Sequence, residues 1–172
     1  NTREFIGCYA GRVAGQRQNN LLPTGDVIRD EGHGVGTWPS VRVETVPLQC
    51  MHCEDAPCVA VCPTGAAYIG ADGIVGVDHG RCIGCLYCMA ACPYQVRVRN
   101  EETGAVDKCR FCTVSAETTG TKRCACVEAC RTGARMFGDL DDPDSDISKE
   151  IVATNAQPIA GDLTKSKVFY VR

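Results

Sequence analysis

Eight cysteines between Cys50 and Cys92 constrain this chain more than any other feature. Cys50, Cys53, Cys58 and Cys62 follow a C-x2-C-x4-C-x3-C spacing that closes on Pro63. Cys82, Cys85, Cys88 and Cys92 follow C-x2-C-x2-C-x3-C and close on Pro93. Paired C-x2-C motifs suit zinc, and a small chain with fourteen cysteines suits a disulfide framework. Zinc, however, takes four ligands per site and gives no reason for a triplet followed three residues later by Cys-Pro, repeated in register.

Paired cubane iron–sulfur clusters do give that reason. Three closely spaced thiolates wrap one cube, and the fourth, carried on the short helix that follows, reaches across to the other. Cys50, Cys53 and Cys58 are therefore expected to share a [4Fe–4S] cluster with Cys92, and Cys82, Cys85 and Cys88 to share a second with Cys62. Each proline turns the chain away without needing a backbone N–H. Gly65 and Gly84 stand where a loop must aim backbone N–H groups inward, a conformation that favours positive φ.

The rest of the composition fits a protein filled by inorganic matter. Cysteine inflates the hydrophobic fraction of 44%, aromatic residues make up only 6%, and Trp38 is the sole tryptophan. Folding should then depend on the metal. A net charge of −3 gives no electrostatic footprint for nucleic acid or an anionic membrane. No apolar run approaches the length of a span, so no direct membrane insertion is expected, and no signal peptide is read at the start of the chain. Clustered thiols favour a reducing compartment: cytoplasm is the expectation, with export alongside a signal-bearing partner as the alternative.

Both flanks read as relics of the central motif. Aligned on the run from Cys82 to Cys92, Phe5, Cys8, Gly11 and Gly15 occupy the four cysteine positions, so residues 1–20 look like a cluster loop that has lost its cluster but kept its backbone path. Downstream, Cys126 to Ala134 echoes Cys58 to Ala66, with Arg131 in place of the proline. Cys109, Cys112 and Cys126 would draw their fourth ligand from position 15, which is glycine. Cys124 stands two residues before Cys126, and a third cluster is expected on Cys109, Cys112, Cys124 and Cys126, with Cys130 as the alternative fourth ligand. Cys8, and Cys130 if unused, are expected to be buried structural thiols.

Elsewhere, Leu21 to Asp26 reads as a turn and Gly32 to Pro39 as too glycine-rich for regular structure. Val41 to Val46 alternates as a strand. Asp72-Gly73 between apolar runs signals a hairpin. Val96 to Arg99 alternates again, and Thr103-Gly104 turns the chain back. Ile147 to Ala153 is at most two helical turns, and Val168 to Val171 a closing strand. His33 is expected to be solvated in a loop, His52 to tune a cluster by hydrogen bonding, and Trp38 to lie in the core or cover an interface. The fold class is α+β: a doubled bacterial ferredoxin-like fold of short hairpins, short helices and long loops. Residues 45–100 form a two-cluster unit, 1–44 with 101–140 a second unit whose first motif is degenerate, and 141–172 a C-terminal extension.

The runs Gln49–Ala66 and Arg81–Tyr94, with Phe137–Leu140 and the stretch to Lys149, resemble the iron–sulfur electron-transfer subunits of molybdenum and tungsten pterin oxidoreductases. That family includes the subunits of dimethyl sulfoxide reductase, polysulfide reductase and formate dehydrogenase. The resemblance implies a four-cluster wire, from which Phe5, Gly11 and Gly15 depart, leaving three. It also implies a larger molybdenum- or tungsten-pterin catalytic partner and a further redox carrier. A narrower likeness is to the small partners of tungsten aldehyde-oxidoreductase-type enzymes such as class II benzoyl-CoA reductase. The expected function is a non-catalytic relay of single electrons. A free-standing soluble polyferredoxin and a zinc-stabilised interaction module are the alternatives.

Overall fold

The fold is seen in a computed structural model that describes residues 1–21, 25–113 and 123–171. The expected turn from Leu21 to Asp26 therefore lies partly outside the described residues, as does the segment joining Cys112 to Cys124.

Short two-stranded ribbons, not one sheet, frame the molecule. Strands β1 (Ile28–Val35) and β2 (Arg42–Gln49) pair antiparallel with Ile28 opposite Gln49 and Val35 opposite Arg42. β2 is the strand expected just before Cys50. Its partner was not expected: Gly32, His33, Gly34 and Val35 lie in β1, opposite Thr45, Glu44, Val43 and Arg42. At this solvent-facing end of the ribbon, backbone pairing holds the strand and no side chain has to pack, so glycine costs little. Trp38, at the turn, is 88% exposed, which removes it from the core.

β3 (Ala67–Ile69) and β4 (Val75–Val77) form the hairpin announced by Asp72-Gly73, with Gly73 at φ +71°. β5 (Val98–Arg99) pairs with β6 (Val106–Asp107) across the turn at Gly104, φ +71°. Helices α2 (Pro57–Ala60), α3 (Tyr87–Ala90) and α4 (Ala125–Glu128) are single turns, each beginning beside a cysteine motif. Pro57 opens α2, where its missing N–H costs nothing. The N-terminal helix α1 (Ala10–Gln18) is longer and packs on α4. Gly11 permits this, since a Cβ there would meet the Cys126 carbonyl oxygen at 3.3 Å.

The interior divides in two. The larger cluster joins Leu48, Met51, Val75, Tyr94, Val96 and Tyr170 to the sulfurs of Cys50, Cys53, Cys58, Cys92 and Cys109. The smaller holds Val27, Ile28, Cys124 and Cys126, and Phe111 packs against both. Each interior is thus built as much on thiols as on hydrocarbon.

The C-terminal extension is a strap over the first cysteine run. α5 (Asp146–Thr154) is capped by Ser145, whose Oγ accepts the Ser148 N–H, and runs slightly beyond the two turns expected. The chain returns through β7 (Gln157–Pro158) and β8 (Phe169–Tyr170), the closing strand. Between them the Glu54 N–H donates to the Lys165 carbonyl (3.1 Å) and the Lys167 N–H to the Met51 carbonyl (2.9 Å). Tyr170 Oη donates to the Pro47 carbonyl (2.8 Å). Among the described residues no helix is long and apolar enough to cross a membrane.

Candidate iron–sulfur centre

The fold sorts the eight central cysteines into two cavities by crossed membership. One cavity, with about 330 Å³ of space partly open to solvent, is lined by Cys62, Cys82, Cys85 and Cys88. The other, of the same size, is lined by Cys50, Cys53, Cys58 and Cys92. Cys62 leaves its own run to join the second triplet, and Cys92 leaves its run to join the first, because α2 and α3 pack together and carry each fourth cysteine across.

These walls fit a cubane in chemistry as well as number. All four sulfurs at each cavity are free thiols, the soft donors that iron–sulfur clusters take. The loops carry the left-handed backbone that tight wrapping turns need. Gly65 and Gly84 lie at φ +62° and +66°, and a Cβ on Gly84 would stand 2.6 Å from the Gly104 carbonyl oxygen. At Cys62, burial opposes ionisation, but the Ala67 N–H (3.4 Å) and the Thr64 hydroxyl (3.7 Å) outweigh it and hold the thiol below its ordinary pKa.

Two buried cations escaped the sequence reading. Val96 to Arg99 alternates as a half-exposed strand would, which assigns Arg97 to solvent beside Arg99; instead Arg97 is 4% exposed. It lines both cavities, and its Nη2 donates to Cys58 Sγ at 2.9 Å. Lys108, 1% exposed, donates from Nζ to the Cys109 carbonyl at 2.9 Å. Burial lowers its pKa, while Cys50 and Cys109 support its charge. The available signal was chemical: a buried quartet of thiolates requires a nearby cation.

His52 is completely buried, and burial, then Lys108, push its pKa well below the usual imidazole value. Nδ1 accepts the Val75 N–H at 3.2 Å, so the proton sits on Nε2, and the ring also interacts with the Cys109 backbone. An N–H donor of that kind suits the tuning role expected of this residue.

Of the remaining six cysteines, four gather, and Cys8 and Cys130 stand apart. Cys109, Cys124 and Cys126 are buried and Cys112 is half-buried. The hydrogen bond from Cys124 draws Cys112 down to about 6 and correspondingly pushes Cys124 up. Burial raises Cys109 to about 12. Cys124 is the N-cap of α4, the position that Ala56 holds before α2, and Ala56 lines the Cys50 cavity. The Cys124 thiol points toward the Cys109 run, with Sγ 3.3 Å from the Phe111 carbonyl oxygen and in contact with Cys112. Cys130 instead repeats the setting of Cys62: burial opposes its ionisation, and the Thr132 hydroxyl (3.6 Å) with the N–H groups of Arg135, Thr132 and Ala134 overcomes it.

The degenerate loop has kept its backbone. Gly7 and Tyr9 flank Cys8 at φ +63° and +59°, and Gly84 and Leu86 flank Cys85 at +66° and +65°. Cys8 is exposed and Cys130 half-buried, which corrects the expectation of buried structural thiols. With glycine at 11 and 15, α1 settles onto α4, and nothing draws Cys8 inward.

Residues 41–140 match the 4Fe-4S dicluster domain family. The chain is 47% identical over 149 residues to the protein NrfC of Escherichia coli K12, covering 84% of this chain and 65% of that protein, so it spans just under two thirds of that relative's length. It is 47% identical over 169 residues to the B subunit of polysulfide reductase from Wolinella succinogenes, covering 96% and 88%. With the thiosulfate reductase electron transfer subunit PhsB of Salmonella typhi it shares 54% over 143 residues, 81% and 73%. By cavity, loop and sequence, the chain belongs to the 4Fe-4S dicluster family of iron–sulfur subunits.

Proposed function

We propose that this chain is the electron-transfer subunit of a larger oxidoreductase. The observation that carries this reading is the crossed membership of its two four-cysteine cavities. Cys50, Cys53, Cys58 and Cys92 would hold one cluster, and Cys62, Cys82, Cys85 and Cys88 a second. Cys109, Cys112, Cys124 and Cys126 would hold a third, Cys124 taking the part that position 15 lost. The shared torsions at Gly7 and Gly84 and the like settings of Cys62 and Cys130 support a doubled ferredoxin-like fold, with 45–100 as one unit, 1–44 plus 101–140 as the other, and 141–172 as an extension over the first.

Bound clusters supply one-electron chemistry. The chain's own residues set the conditions for it. The thiolates would orient each cube, Gly65 and Gly84 give their loops a left-handed turn, and Thr164 of the C-terminal strap hydrogen-bonds Cys53. None of these groups performs bond chemistry on a substrate. The partner is a larger molybdenum- or tungsten-pterin catalytic subunit, with a further carrier at the other end; relatives named as reductase subunits support this. The narrower assignment, a small partner of a tungsten aldehyde-oxidoreductase-type enzyme, belongs to the same reading, as does a cytoplasmic setting unless a partner exports it.

Anaerobic purification of the native protein, followed by iron, molybdenum and tungsten counts, tests the assignment. A stable heteromer holding a pterin metal is expected. A lone monomer rich in iron would make the chain a diffusing polyferredoxin instead.

A further inference from the structure

Among the described residues, Arg97 is the one side chain shared by the walls of both central cavities. Its guanidinium donates to Cys58 Sγ at 2.9 Å, on the Cys50 side. It also interacts with Cys88, on the Cys82 side. Nη1 is buried and has no hydrogen-bond partner. Arg97 is 4% exposed, and among the described residues it forms no ion pair with a carboxylate; the buried Asp107 is engaged by Arg110 and His79. A buried guanidinium is tolerated only where charge compensates it. Here the compensation comes from sulfur on two sides.

We propose that Arg97 is a shared positioning cation that sets the reduction potentials of both central clusters together. This rests on the cluster assignment above. An arginine stays charged at every accessible pH, so the field is fixed. Adding an electron makes a thiolate-bound cluster more negative, and a cation in the wall stabilises that state through low-dielectric surroundings. One cation between two sites raises both potentials, whereas a donor on a single sulfur raises one. The planar fork suits this task because its donors diverge, so one group can serve sulfurs in two walls. An ammonium is a single point charge and would sit nearer one wall than the other.

The test is an EPR-monitored redox titration of the anaerobically purified protein with iron counted in each sample. In Arg97→Gln with full iron content, the couples of the Cys50 and Cys82 sets should both fall by about tenfold in equilibrium constant, about 59 mV for one electron. The third couple should move by less than about threefold. Arg97→Lys should keep its iron and lower the two central couples unequally. An iron-replete Gln variant in which neither couple moves, or only one, overturns the shared cation while leaving the clusters standing. If Gln loses iron, the Lys variant decides: unequal lowering with iron retained supports the proposal, and loss of iron there too assigns Arg97 to assembly alone and overturns it. Wild-type protein without iron would instead overturn the cluster reading itself.

Discussion

His52 stacks on Phe111, with ring centroids 3.8 Å apart and planes 24° from parallel. The two residues hold the same place in two C-x2-C motifs, immediately before Cys53 and Cys112, and both adopt left-handed backbone, φ +45° and +51°. Positive φ at a non-glycine residue costs about 1–2 kcal/mol and persists only where the surroundings enforce it. Here the enforcement is mutual. Each motif turns its aromatic ring out of its own loop and against the other's, joining the first cysteine run to the Cys109 run through a face of ring on ring.

That contact should behave as a coupled unit. In a double-mutant cycle of His52→Ala and Phe111→Ala, measured by anaerobic denaturant unfolding with metal bound, the double variant's loss of stability should fall short of the sum of the two single losses by about 1 kcal/mol. Strict additivity would mean that the rings merely share space.

The glycines at the two loops should not be equivalent. Gly84 and Gly133 both have positive φ, but an added Cβ meets backbone 2.6 Å away at Gly84 and open space at Gly133. Gly133→Ala should cost only the left-handed penalty, about 1 kcal/mol. Gly84→Ala should cost clearly more and loosen the Cys82 quartet. Iron content and thermal midpoint of the two variants, compared side by side, decide this.

Thr164 reaches the first cysteine run from the C-terminal strap. It is 2% exposed, its Oγ1 lies 2.7 Å from Tyr94 Oη, and it hydrogen-bonds Cys53. Removing a hydrogen bond to a ligating sulfur lowers a cluster's potential. Thr164→Val should therefore lower only the couple of the Cys50 set, which a redox titration would register; movement of the Cys82 couple as well would contradict the local contact.

Cys124 and Cys130 should separate cleanly. Cys124→Ala should remove about four irons, one cube, whereas Cys130→Ala should remove none. The reverse outcome would move the fourth ligand to Cys130.

Much of this was legible because cysteine spacing fixes what can reach what. The runs beginning at Cys50 and Cys82 foretold which sulfurs line which cavity, and Asp72-Gly73 foretold β3 and β4. Legibility failed where long-range partners override local pattern. Gly32 to Val35 has poor strand propensity, yet pairs along β2. Arg97 follows a solvent-facing alternation, yet turns inward because sulfur needs a counter-charge. Trp38 is apolar, yet stands on an exposed turn. Cys8 carries the right local backbone, but the glycines around it leave no quartet to join.

Iron and acid-labile sulfide, counted per polypeptide on anaerobically purified protein, bear most directly on a fold built to wall in cubes. About twelve of each are expected from three four-iron clusters. Zinc in place of iron, or thiols free of metal altogether, would contradict it.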